Sequence, residues 1–172
     1  KAKQLLKEAG WDFNKPLNII VPTGNKVREQ SADIITQDLK AIGLKTNVTT
    51  YDFPTLLAKA KAGDYDVMFI GFTNSLDPDI SSMYKSNAPS NYMKYNSEKS
   101  DDLLNKGKSE PDVEKRKEIY SELQKLWNED LPVFTLYSDN DFSAVSKEVK
   151  EGEPKVFGFH KNLQNWTMTG SN

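Results

Sequence analysis

Cysteine is absent from the 172 residues, which excludes disulfide bonds, zinc–thiolate centres and cysteine nucleophiles. Histidine occurs once, as His160. A catalytic base needs a rigid position and an orienting partner, and a lone histidine in a Lys-, Gly- and Asn-rich tail reads as a surface residue. The glycines form no phosphate cradle, since Gly63, Gly71 and Gly107 lie too far apart for a phosphate loop. No apolar run reaches the roughly 18 residues that suggest a membrane span. Basic residues number 23 against 25 acidic ones, for a net charge of −2. Nothing here favours a nucleic-acid partner, whose phosphates select a basic face, and no cofactor or metal is expected.

What remains is the composition of an ordinary globular domain, 37% hydrophobic and 28% charged. The chain opens at Lys1, without an initiator methionine, directly into an amphipathic pattern. It is expected to be an excised piece of a longer protein.

The pattern alternates. Residues 1–9 read as a short helix stopped by Gly10, and Leu17 to Val21 as a strand broken by Pro22-Thr23-Gly24-Asn25. Val27 to Ile42 has helical spacing and Gly43 closes it. Lys45 to Tyr51 suggests an edge strand. Asp52 caps a short helix with Pro54 in its first turn, and Gly63 ends it. Val67 to Ile70, apolar on both faces, reads as the middle of a parallel sheet. This order predicts an α/β domain with a mostly parallel sheet and right-handed crossovers. Residues 79–98 look irregular. Ser100 to Asn105 reads as a short helix and Pro111 to Asp130 as the longest, with an apolar face of Val113, Ile119, Tyr120, Leu123, Leu126 and Trp127. Val133 to Tyr137 and Phe142 to Val145 are strand candidates around Ser138-Asp139-Asn140-Asp141. Residues 147–172 change character, with the isolated aromatics Phe157, Phe159 and Trp166.

Three features could carry chemistry. Asp77 and Asp79 flank Pro78, and Asp101 and Asp102 follow; paired carboxylates can do acid–base work, but Asp-Pro is common in turns and aspartate suits a helix start. Trp127, on an apolar helix face, is expected in the core. Gly71-Phe72-Thr73-Asn74-Ser75 leaves a buried strand where α/β sheets bind ligands. Gly71 permits close approach by a ligand, and unpaired amides and carbonyls beyond it could accept an extended peptide as an added strand. An ordinary strand exit would have the same wording.

Several motifs resemble those of family 5, peptide/nickel-type ABC-transporter solute-binding proteins. They are Gly63-Asp64-Tyr65-Asp66, Gly71-Phe72-Thr73 and Asp77-Pro78-Asp79, preceded by Ala2-Lys3-Gln4-Leu5-Leu6-Lys7-Glu8-Ala9-Gly10-Trp11 and Ile42-Gly43-Leu44-Lys45. Asn91-Tyr92 with Tyr95, Ser100-Asp101-Asp102-Leu103-Leu104, Lys115-Arg116-Lys117-Glu118-Ile119-Tyr120 and Asp130-Leu131-Pro132-Val133 follow in family order. The resemblance covers roughly residues 1–150.

The resemblance implies a type II periplasmic-binding-protein-like lobe. Residues 1–150 would be the second lobe of a clamshell receptor, and 151–172 a tail returning to the missing first lobe. The implied function is to close over an extended oligopeptide and deliver it to the permease subunits of an ABC importer, without catalysis. The place would be outside the cytoplasm, as a cell-surface lipoprotein or in the periplasm. The ligand-binding residues expected are Gly71, Phe72, Thr73, Asn74, Ser75, Asp77, Asn91 and Tyr92. The family's dipeptide receptors place an aspartate after the Gly-aromatic segment and an arginine after the first strand. Here those places hold Asn74-Ser75 and Pro22-Thr23-Gly24, which fits a receptor reading peptide backbone rather than termini. The rival readings are a nickel chelate, oligosaccharide or peptide-pheromone ligand on the same fold, and an acid–base hydrolase using Asp77 with Asp79 or Asp101.

Overall fold

The computed structural model describes residues 1–138, 140, 142–152 and 161–169. They divide into two compact units, Lys1–Val133 and Phe134–Asn172.

The first unit begins with α1 (Ala2–Glu8), none of whose residues is buried. Strand β1 (Leu17–Pro22) carries the apolar run and is buried from Ile19 onward. It lies between β2 (Thr46–Tyr51) and β3 (Val67–Met68), and both pairings are parallel. Register runs from Leu17↔Thr46 to Pro22↔Tyr51 on one side, and through Ile19↔Val67 and Ile20↔Met68 on the other. Parallel neighbours need crossovers, and α2 (Lys26–Ala41) and α3 (Phe53–Ala62) supply them.

Local chemistry sets the ends of these helices. The Asn25 side chain accepts from the Arg28 amide, and the Asp52 side chain from the Thr55 amide, capping bonds worth about 1 kcal/mol each. Gly63 ends α3 at φ 81°, in the left-handed region that disfavours a Cβ.

One expectation about the sheet is corrected. The segment from Val67 is not the middle of the sheet: β1 is, and β3 is a two-residue edge strand. Val67 is accordingly 36% exposed. The Phe69 amide still bonds the Ile20 carbonyl at 3.0 Å, and Phe69 packs with Ile19, Val21 and Ala32.

A second core forms between α5 (Glu98–Ser109) and α6 (Val113–Asp130), where Leu103, Leu104, Tyr120 and Leu123 are buried together. Helix α5 is twice the expected length: it starts two residues earlier, where the Ser97 side chain accepts from the Ser100 amide, and runs four residues further, to Ser109. The helices approach closely at Gly107, where an added Cβ would sit 3.0 Å from the Tyr120 ring. A short helix, α4 (Ser81–Tyr84), occurs in the stretch read as irregular. Tyr84 stacks on Trp127 at 4.0 Å, and the Trp127 indole donates to Ser100 Oγ at 3.0 Å, so Trp127 is in the core as expected. Val113 is not on that face: it is 75% exposed, at the start of the helix.

In the second unit, neither strand candidate forms. Residues 133–137 and 142–145 make no ladder among the described residues, and Phe142 is 94% exposed. Aromatic and β-branched composition favours strands only where a partner edge is present. The strands found are β4 (Val149–Lys150) and β5 (Thr167–Met168), antiparallel, with a 3-10 turn at Leu163–Asn165. Asp139, Asp141, Phe157, Phe159 and His160 lie outside the described residues.

Candidate functional site

Parallel strands bring their carboxyl ends to one edge of the sheet. After β1 the chain turns through Thr23-Gly24 into the Asn25 cap of α2; after β2 it enters the Asp52 cap of α3; after β3 it runs on through residues 69–79. The Thr23 amide bonds the Tyr51 carbonyl at 2.8 Å, which holds the first two exits together. Ligands of open α/β sheets bind in this position.

Beyond the Phe69 amide, no backbone amide or carbonyl from Ile70 to Ser75 is hydrogen-bonded among the described residues. Gly71 to Ser75 are all exposed. Thr73 and Asn74 make no side-chain hydrogen bond among the described residues, and Ser75 Oγ donates only to the Asp77 carbonyl at 3.0 Å. Phe72 is 40% exposed. Gly71 lies under the side chain of Arg28, and a Cβ at Gly71 would collide with that guanidinium.

The remaining expected site residues are committed elsewhere. Asp77 receives Arg116 Nη2 on both carboxylate oxygens, at 2.7 and 3.0 Å, and also accepts from the Asp79 amide at 2.8 Å. Arg116 is itself held by its Nε donating to the Gly107 carbonyl at 2.7 Å, and it lies over the Tyr120 ring. Asp77 thus ties the exposed loop to α6. Asp79 accepts from the amide and hydroxyl of Ser81 and lies 3.8 Å from Lys108. Asp101 accepts from the Ser86 amide at 2.9 Å. These three carboxylates hold turns and helix ends.

Asn91 is fully used within its own loop. Its Nδ2 donates toward the carbonyls of Lys85, Ser86 and Tyr95, and its Oδ1 accepts from the Tyr95 amide. The Tyr92 carbonyl accepts from the Tyr65 hydroxyl at 2.7 Å, and burial pushes the Tyr65 phenol up, keeping it a donor. The Asn91 side-chain amide thus holds residues 85–95 together beside the sheet edge. Of the expected residues, Gly71 to Ser75 stand free at the sheet edge, while Asp77, Asn91 and the Tyr92 backbone support the loops beside it. No group of three His, Cys, Asp or Glu side chains that could hold a metal is found among the described residues.

The Arg116 guanidinium, hydrogen-bonded to Asp77, holds that carboxyl below its ordinary value, with the Asp79 amide adding to the effect. A lowered carboxylate pKa means that the link is intact above the ordinary value, about 4, and is lost as pH falls through the lowered one. We expect the Asp77 carboxyl carbon to titrate by NMR below the exposed aspartates, with amide exchange at residues 76–80 rising as it protonates. Titration at the ordinary value would show that the link does not hold in solution.

Arg28 and Arg116 were not singled out from the sequence. A signal was there: they are the only arginines among 23 basic residues, and both meet the segment between Gly71 and Asp77.

The parallel sheet with crossover helices, and the unpaired main chain at its carboxyl edge, fit a lobe of the type II periplasmic-binding-protein class. Comparison with known proteins agrees. The profile of "Bacterial extracellular solute-binding proteins, family 5 Middle" matches residues 1–94, and the chain belongs to this family. It is 29% identical over 160 residues to the dipeptide-binding protein of Escherichia coli K12, covering 87% of this chain and 30% of that protein. It is 29% identical over 167 residues to the oligopeptide-binding protein AppA of Bacillus subtilis, covering 87% of this chain and 31% of that protein. The solved structure of Bacillus subtilis AppA in complex with a nonapeptide superposes with a TM-score of 0.84 at 26% identity, covering 98% of this chain and 37% of that one. The chain thus spans about a third of the length of these curated relatives.

Proposed function

We propose that this chain is the second lobe of an extracytoplasmic solute-binding protein that takes up oligopeptides for an ABC importer. One observation carries this reading: the unengaged main chain from Ile70 to Ser75 at the carboxyl edge of a parallel sheet. An extended peptide adds to such an edge through main-chain hydrogen bonds, which are indifferent to side-chain identity. The names of the relatives, one binding dipeptides, one binding oligopeptides and seen with a nonapeptide, point to the same ligand class. With no carboxylate at Asn74-Ser75 to meet a peptide amino terminus, longer peptides are favoured over dipeptides.

In this reading residues 1–150 belong to the second lobe and 151–172 lead back to a first lobe. The protein sits in the periplasm or is lipid-anchored at the cell surface. Closure of the two lobes traps the peptide, and the permease subunits recognise the closed shape. The protein binds and releases its ligand without chemistry, as its relatives' names as binding proteins suggest.

A split site sets the test. One lobe supplies only part of the contacts, while association costs several kcal/mol of lost freedom. Isothermal calorimetry of the 172-residue chain with hexapeptides is expected to give weak or undetectable binding, and the two-lobe receptor carrying it tight binding. Micromolar or tighter binding by this chain alone would sink the split site; no peptide binding by the two-lobe receptor would sink the peptide reading.

A further inference from the structure

The two arginines meet the same loop but differ in what they find there. Arg116 is neutralised: Asp77 takes it on both oxygens, the Gly107 carbonyl takes its Nε, and the Tyr120 ring lies beneath. Arg28 is not. Its backbone amide bonds Asn25, but its guanidinium has no ion-pair or hydrogen-bond partner among the described residues. Its nearest acidic neighbour in sequence, Glu29, turns back to accept from the Gly24 amide at 2.9 Å.

The position of this group is specific. Arg28 is half-buried in the first turn of α2 and extends from the β1 exit to the β3 exit. There it occupies the space that any side chain at residue 71 would need. Glycine at 71 therefore does two things: it bares the peptide edge, and it admits the guanidinium beside it. A planar fork of donors, uncompensated and partly shielded from water, is matched by a carboxylate, which it binds through two parallel hydrogen bonds.

We propose that Arg28 makes this site selective for acidic peptides, pairing with a carboxylate on the residue that lies across Gly71. The proposal rests on the oligopeptide reading above. The carboxylate is that of a Glu or Asp side chain within the peptide.

The test uses the two-lobe receptor carrying this lobe and three kinds of probe based on Ala-Ser-Ala-Ser-Ala-Ser. These are the amidated peptide, the free acid, and amidated peptides with one glutamate placed at each position in turn. Calorimetry is expected to show at least one glutamate-bearing probe binding about tenfold tighter than the neutral amide, the gain of a charge-assisted hydrogen bond. A gain at one glutamate position identifies the residue that lies across Gly71; a gain for the free acid alone overturns the proposal. In Arg28→Gln that preference should vanish while the neutral amide binds as before, with an unchanged thermal midpoint. Arg28→Lys should keep only part of it. Gly71→Ala should shrink the same ratio with Arg28 still present, by displacing its side chain.

No preference in the wild type, or a preference that survives in Arg28→Gln, overturns the proposal while leaving the peptide reading intact. If none of the probes binds the wild type, both fall together.

Discussion

Replacing Asn91 by aspartate is expected to destabilise the protein strongly with no ligand present. The side-chain amide has three carbonyls around its nitrogen and one backbone N–H on its oxygen. This environment fixes the orientation of the amide, since the reverse flip would face oxygen to three oxygens. Asn91→Ala abandons these bonds and leaves the partner groups of residues 85–95 partly buried without replacements. At about 1 kcal/mol net per hydrogen bond the loss is roughly 2–4 kcal/mol. Asn91→Asp should cost more, because it keeps the one acceptor but sets a negative charge against the Lys85, Ser86 and Tyr95 carbonyls. Urea unfolding read by circular dichroism measures both. An unchanged midpoint for either variant in the absence of peptide would return Asn91 to the ligand contacts and remove it from the scaffold.

Leu104→Ala should have an effect of the same order by a different route. Leu104 is fully buried against Leu103, Tyr120 and Leu123, between helices held close at Gly107. Removing its branched end leaves a cavity that two packed helices cannot readily close, and such substitutions cost about 2–5 kcal/mol. Against a typical total of roughly 5–15 kcal/mol that is a large fraction. Leu104→Met, which keeps the volume, should cost less than about 1.5 kcal/mol. Equal unfolding midpoints for the Ala and Met variants would mean that the helix pair collapses into the space. The consequence reaches the site: Arg116, which holds Asp77, projects from α6 and is braced on the Gly107 carbonyl of α5.

The contrast between these residues and the expected ones shows what a sequence discloses. Helix α3 was legible almost to the residue, because Asp52, Pro54 and Gly63 are local signals acting on their own backbone. The crossover pattern was legible for the same reason, each helix lying between two strand candidates. The placement of β3 was not. Val67 to Ile70 declares itself apolar, but apolarity does not say which strand lies alongside, and β1 took the centre. The segments 133–137 and 142–145 have strand composition without a strand partner among the described residues. Helix α4 is too short for periodicity to reveal. At the site, glycine and the residues after it were readable, since a missing side chain is a local fact. How Asp77 and Asn91 spend their hydrogen bonds was not, because the partner of Asp77 comes from 39 residues away and those of Asn91 from a folded-back loop; nor was the place of the Arg28 side chain, which lies against Gly71 from across the sheet edge.

The parallel order β2-β1-β3 also has a consequence in time. The pairing of β1 with β3 joins residues such as Asn18 and Asp66, 48 positions apart, whereas α5 and α6 are neighbours joined across residues 110–112. Closing a long loop must be offset before its contacts contribute, so local pairs form early and distant ones late. The helix pair is the early nucleus of the first unit on this account. The edge at Gly71, which exists only once the exits of β1 and β3 stand side by side, is among the last features the folding chain acquires.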